Sequence, residues 1–306
     1  MNVFYPEGRL MGSAENEYYL STPERLMSAH AKGVILEARA AVCSKEHDLY
    51  VELPFGRAVI PREEGALGIR EGTVRDIALL SRVGKPVCFV PTDIQPWGGF
   101  AAVLSRREAQ RLCFENYISR LNTGDVIEAT VTHLEQFGAF ADIGCGISSL
   151  IPIDAISVSR IDHPSDRFRC GMHIKAVVSG REPAGRICLS HKELLGTWAE
   201  NAALFSQGET VSGIIRSVES YGVFIELMPN LAGLAEPFEG AAAGLGASVF
   251  IKAMIPEKMK IKLIVVDTFT HNADSGRIEY FTDKPHIERW DYSVKGASKE
   301  IYTVFA

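Results

Sequence analysis

The sequence predicts a mainly β chain in which one small module is used three times in series. Three observations carry that prediction. Residues Gly124–Pro152 align without a gap with Gly208–Glu236 at a constant offset of 84, so that Gly124, Glu135, Gly138, Phe140 and Leu150 return as Gly208, Glu219, Gly222, Phe224 and Leu234. Both copies alternate with period two, the mark of a strand with one buried face. Ala139, Ala141 and Ile143 share one side of the first, and Val223, Ile225 and Leu227 share one side of the second. A fainter copy upstream then gives modules of ~70 residues, an ordinary size for a small barrel.

Taken in order, the chain opens on an N-terminal segment (1–32) with a short helix. Ser21 and Thr22 before Pro23, with Glu24 in the first turn, start that helix, and Gly33 stops it. In the first module (33–106) Leu49, Val51 and Leu53 alternate with Asp48, Tyr50 and Glu52, which puts Tyr50 where Phe140 and Phe224 stand. Ala58–Pro61 echoes Ser149–Pro152, and Leu104–Glu108 echoes Leu189–Glu193. Apolar residues at Ala109, Leu112, Cys113, Tyr117, Ile118 and Leu121 form a helical stripe, so 107–121 is a helical connector.

The second module (122–192) places Phe140 and Asp142 on the polar side of their strand, and the third (206–267) does the same with Phe224 and Glu226. An aromatic on the polar side of both copies needs a reason. It either stacks on a ligand or packs against a neighbouring element. Ile174–Ala176 and Ile251–Ala253 are matched as equivalent strand openings, each turning back into a second strand at Arg186–Leu189 and Lys260–Leu263; Pro183 and Gly185 mark the first of these hairpins. Between the two modules, Leu194, Leu195, Trp198, Ala202 and Phe205 give a second helical connector, 193–205. The tail, 268–306, includes a strand-like Arg277–Phe281 and has no assigned role.

Composition narrows the classes. Of 306 residues, 46% are hydrophobic and 23% charged, the balance of an ordinary globular protein. No apolar run reaches the roughly 18 residues that span a bilayer, and the N-terminus carries Glu7, Glu15 and Glu17 rather than a signal peptide. No membrane partner is expected. Six cysteines without a CxxC pair fit buried thiols in a reducing cytoplasm. The net charge of −6 argues against a polyanion partner unless positive charge is segregated, and it is segregated. Residues 122–159 hold five acidic residues and no Lys or Arg, whereas 160–192 hold seven basic and three acidic. The third module repeats the split, with four lysines gathered in 246–267.

The aromatic-Gly-apolar-Phe-apolar-acid-apolar run, Phe137–Ile143 and Tyr221–Leu227, together with Gly233-Leu234 and the closing Gly185–Ser190, resembles the S1 RNA-binding domain. The resemblance covers about three quarters of the chain. It implies three tandem five-stranded OB-fold barrels joined by short helices, and single-stranded RNA, such as mRNA, held across one face. In that family the face carries paired aromatics, a histidine at the end of strand three, and an acid-x3-Arg pair around the last hairpin. Phe137 and Phe140 match the aromatic pair, as do Tyr221 and Phe224 in the third module. Arg186 matches the arginine, with Glu182 as its acid. Pro152 and Glu236 stand in place of the histidine, and Lys260 in place of the third module's arginine. Lys175, Lys252 and Lys258 supply further positive charge. The first module keeps Tyr50, with His47 and Asp48 replacing the aromatic-glycine step and Ala101 near the arginine position.

The resemblance thus points to a non-catalytic, cytoplasmic RNA-binding protein of translation, with the small ribosomal subunit as a partner and the first module free to dock a protein. The alternatives are a regulator or RNA-decay accessory acting off the ribosome, or a protein-interaction scaffold. Cys170 and His173 have ligand spacing and His163 lies near, but a fourth ligand is not evident, so no metal and no cofactor is expected. Gly144-Cys145-Gly146 reads as a strand-end turn, and Trp97, Trp198 and Trp290 read as packing residues.

Overall fold

The computed structural model describes residues 3–96, 99–182, 185–271 and 278–305. Trp97, Pro183 and Arg277 lie outside them. Seventeen strands and five α-helices are described, and fifteen of the strands close into three barrels with the strand order 1-2-3-5-4. This is the expected OB-fold, three times over. The chain divides into two compact units: Met1–Leu121 with Asp142–Ser148, and Asn122–Ala141 with Ser149–Ala306.

In the first unit, α1 (Ala14–Tyr19) and α2 (Pro23–Lys32) precede the first barrel. Thr22 caps α2 by accepting the Arg25 N–H at 3.3 Å, and Gly33 ends it at φ +62°. The barrel consists of β1 (Leu36–Cys43), β2 (Leu49–Leu53), β3 (Gly56–Ile60), β4 (Pro86–Gln95) and β5 (Ala101–Ser105), with α3 (Ile77–Leu80) between β3 and β4. Its interior is Leu36, Leu49, Val51, Ile60, Phe89 and Leu104, closed by Leu26 and Ala29 of α2. Ser105 caps α4 (Arg106–Asn116) through the Glu108 N–H, and Ala109 and Cys113 are its buried apolar residues, beside the buried Arg106 and Gln110. A 3-10 turn, Ile118–Arg120, follows.

The second barrel is β6 (Val126–Glu135), β7 (Gly138–Asp142), β8 (Ser148–Pro152), β9 (His173–Arg181) and β10 (Ile187–Ser190). The expected second connector divides in two. A 3-10 turn at Lys192–Leu195 ends on Gly196, whose φ of +80° breaks the helix, and α5 (Trp198–Ala202) restarts from the Thr197 cap. The third barrel is β11 (Thr210–Glu219), β12 (Gly222–Met228), β13 (Leu231–Ala235), β14 (Gly246–Ile255) and β15 (Lys260–Phe269). The duplicated Gly124 and Gly208 share a φ of +94°, the left-handed conformation that selects glycine before each first strand.

The tail pairs as β16 (Arg289–Asp291) with β17 (Tyr302–Val304), and Ile278–Phe281 is in no strand. It completes the third barrel's core, burying Ile287, Trp290, Tyr292 and Phe305. The Tyr292 hydroxyl donates to Asn230 O at 2.7 Å. Trp198 and Trp290 are both buried. The tail also reaches the second barrel: Val126 N donates to Pro285 O, Ile287 N to Gly124 O, and His286 Nδ1 lies 2.7 Å from Asp125 Oδ1.

Candidate nucleic-acid interface

Ladder register puts equivalent side chains of the three barrels in the same row. In the third barrel Phe224 faces Leu234 across β12–β13, and Leu234 faces Lys262 across β13–β15. In the first barrel the row is Tyr50, Val59 and Val103, and in the second Leu150 faces Cys188. The residues between them point inward: Ala139, Ala141, Val223 and Ile225 are fully buried. Phe140 and Phe224 therefore stand on the outer surface, each half-buried.

Beside each stands a second ring. Phe137 is 56% exposed and meets Phe140 edge-on at 6.0 Å and 89°; Tyr221 is 67% exposed and meets Phe224 at 6.1 Å and 87°. The same aromatic corner is built twice from the same spacing. Gly222 makes it possible, since a Cβ there would come within 2.8 Å of Ala235 O. In the second barrel the His133 ring also stacks near Phe140 at 6.4 Å, a contact that the sequence reading missed. Among the described residues no second ring stands beside Tyr50; the Arg57 guanidinium lies over its ring at 5.9 Å.

The basic residues divide. Arg186 is 75% exposed and lies 3.5 Å from the Glu182 carboxylate, a pairing weak enough in water to be exchanged for a phosphate. Lys260 opens β15, Lys258 sits in the 3-10 turn just before it, and both are exposed. Lys252 falls in the β-bulge between Ile251 and Ala253. Lys262, on the Phe224 row itself, was missed, because only the register shows that it lies beside the aromatic. Lys175 is claimed by the tail: its Nζ lies 2.8 Å from Asp283 and 5.6 Å from the centre of the Tyr280 ring, whose hydroxyl accepts the Lys175 N–H.

Two expectations are corrected. The match of Ile174–Ala176 to Ile251–Ala253 slips by four residues. Asp125 O accepts the Val178 N–H just as Glu209 O accepts that of Ile251, so Val178 is the true counterpart of Ile251 and Ser179 that of Lys252. An identical Ile-Lys-Ala triplet misled where a hydrogen-bond ladder decides. The acids Asp142 and Glu226 also do not face solvent. Asp142 accepts N–H bonds from Glu7, Gly144 and Gly146, and burial beside Glu7 pushes its carboxyl up to about 7. Glu226 is buried between two guanidiniums, Arg167 and Arg216, the latter 2.9 Å away. Both acids are structural.

Among the described residues no cluster of His, Cys, Asp or Glu is arranged to hold a metal. His163 Nδ1 lies 2.8 Å from Ser165 Oγ and His173 Nδ1 2.9 Å from Thr130 Oγ1, while Cys170 is exposed. Cys88, Cys113 and Cys145 are buried, and Cys43 and Cys188 are half-buried.

Residues 120–192 match the model of the S1 RNA-binding domain family. The second barrel is an S1 domain. Among curated proteins, the small ribosomal subunit protein bS1 of Leuconostoc lactis is 35% identical over 139 residues, 43% of this chain and 32% of that protein. The bS1 homolog of Bacillus subtilis is 29% identical over 210 residues, 67% of this chain and 53% of that one. The chain thus spans about a third to a half of the length of these relatives. Among solved structures, a multidomain protein with nucleic acid binding domains from Streptococcus pneumoniae covers 77% of this chain and 74% of its own at 13% identity, with a TM-score of 0.26. Phe137, Phe140, Glu182 and Arg186 all belong to the S1 domain. No helix among the described residues is long and apolar enough to cross a membrane.

Proposed function

We propose that the chain binds single-stranded RNA on the outer faces of the second and third barrels, without catalysis, and serves translation in the cytoplasm as the bS1 proteins' names suggest for them. The repeated aromatic corner carries this reading. Phe137 with Phe140, and Tyr221 with Phe224, offer exposed ring faces at matched positions. Bases stack on such faces whatever their sequence, while neighbouring cations neutralise the backbone. Arg186 serves the first corner in that role; Lys258, Lys260 and Lys262 serve the second.

Substituting the two most exposed rings tests the reading at little risk to the fold. Phe137→Ala and Tyr221→Ala are each expected to weaken binding of a fluorescent single-stranded oligoribonucleotide by about 1–3 kcal/mol. An unchanged affinity in the double variant contradicts the assignment. Co-sedimentation with small ribosomal subunits separates a role on the ribosome from one away from it.

A further inference from the structure

The outer rows of the three barrels differ at their ends. In the third barrel the ladder carries Ser217, Phe224, Leu234 and Lys262, and in the first Val42, Tyr50, Val59 and Val103. The duplication offset brings Ser217 onto His133. Thr132 Oγ1 donates to Phe140 O at 3.2 Å, so β6 lies beside β7 at this point. The second barrel's row is therefore His133, Phe140, Leu150 and Cys188. Among these three rows, the second alone begins on a ring and the third alone ends on a cation.

His133 is open to a ligand and held in place. Its side chain is 63% exposed, and its plane lies within 29° of that of Phe140, with ring centres 6.4 Å apart. Phe137, by contrast, meets Phe140 edge-on. A base stacked on Phe140 is thus close to parallel with the imidazole as well, and imidazoles stack on bases as other aromatic side chains do. Glu135 Oε1 lies 2.6 Å from His133 Nε2; because a carboxylate accepts, that nitrogen carries the proton. A ring already tied down loses less freedom when a ligand settles on it. As an ion pair alone the exposed contact contributes little to the fold.

We propose that His133 is a third base-stacking ring of the second barrel, oriented by Glu135 and without a counterpart in the third, where Ser217 stands. The proposal rests on the RNA reading above and adds to it a difference between the two sites. The second barrel gains a stacking surface at one end of its row, and the third gains a cation, Lys262, at the other. The same strand of RNA is therefore held more by stacking on the second barrel and more by charge on the third.

Fluorescence titration of the full chain with a single-stranded oligoribonucleotide tests it, in a background of Tyr221→Ala and Phe224→Ala that silences the third barrel's corner. There His133→Ala should weaken binding about fivefold or more, and His133→Phe should keep the affinity of the background. Both variants leave Glu135 equally without its partner, so the difference between them reports the ring. His133→Phe should also leave the dependence of affinity on salt unchanged, whereas Lys262→Ala in the otherwise unaltered chain should lower that slope by about one. Melting temperatures equal to that of the background show that the variants fold. If His133→Ala has no effect while Phe137→Ala in the same background weakens binding, the inference is overturned and the RNA reading stands. A His133→Phe variant as weak as His133→Ala, or one whose salt slope falls as it does in Lys262→Ala, overturns it too. If Phe137→Ala is also without effect, the RNA reading fails, and this inference with it.

Discussion

Phe140 and Phe224 turn their rings out of barrels whose interiors are filled by the residues on either side of them. Truncating either one removes little from the core, and each is expected to weaken RNA binding by about 1–3 kcal/mol. Ile225→Ala, which empties a fully buried position, should instead cost about 2–5 kcal/mol of stability; thermal melting of the three variants shows the contrast. His191 behaves differently. It is enclosed by Phe168, Tyr280 and Arg167, its Nδ1 lies 3.0 Å from Ile156 O, and burial pushes its imidazole down to about 4. The unfolded chain then takes up this proton more readily than the native one. The stability of the second unit is therefore full above about pH 6.5 and falls as pH drops toward 4, by on the order of 3 kcal/mol from this group. Denaturant midpoints across that range should show the fall, and His191→Gln should flatten it. The outward set of Phe140 could be read from alternation alone. The burial of Asp142 could not, because what covers it comes from Glu7, more than a hundred residues away in sequence.

At the scale of elements, glycines and alternation revealed strands, while register and interruption stayed hidden. The β14 bulge that holds Lys252 has a counterpart at Ser179 in β9 and at Thr92 in β4, yet neither residue resembles Lys, so no pattern of identity could find it. The second connector has an unbroken apolar stripe in sequence, and its helix is interrupted at Gly196. A Cβ there would press on the Phe281 ring at 2.7 Å, so Gly196→Ala should destabilise through both strain and clash. The tail was illegible because its strands are three residues long and its apolar groups serve a barrel that precedes them in the chain. Trp290, 6% exposed within that core, should cost about 3–5 kcal/mol when replaced by alanine. A melting temperature near that of the unaltered protein would show the tail to be dispensable to the third barrel.

Over the whole molecule, three barrels share one topology but not one surface. The second and third carry the full aromatic corner, and the first offers Tyr50 beneath Arg57. The segment Asp142–Ser148 belongs to the first unit, where Glu7 and Arg106 hold it. Division of labour among the barrels is better measured by substitution in the full chain. An acidic total with few cations at each corner predicts a shallow salt dependence, corresponding to roughly three to six phosphate contacts. The central claim is that unstacked bases settle on paired rings, and a duplex keeps its bases stacked and out of reach. Its most direct test titrates the full chain, unaltered and as Phe140→Ala/Phe224→Ala, with a single-stranded RNA and with a duplex of the same length. The unaltered chain should bind the single strand much more tightly, and the double variant should lose most of that preference. Equal affinity for the two RNAs, or a preference that survives in the double variant, contradicts the account.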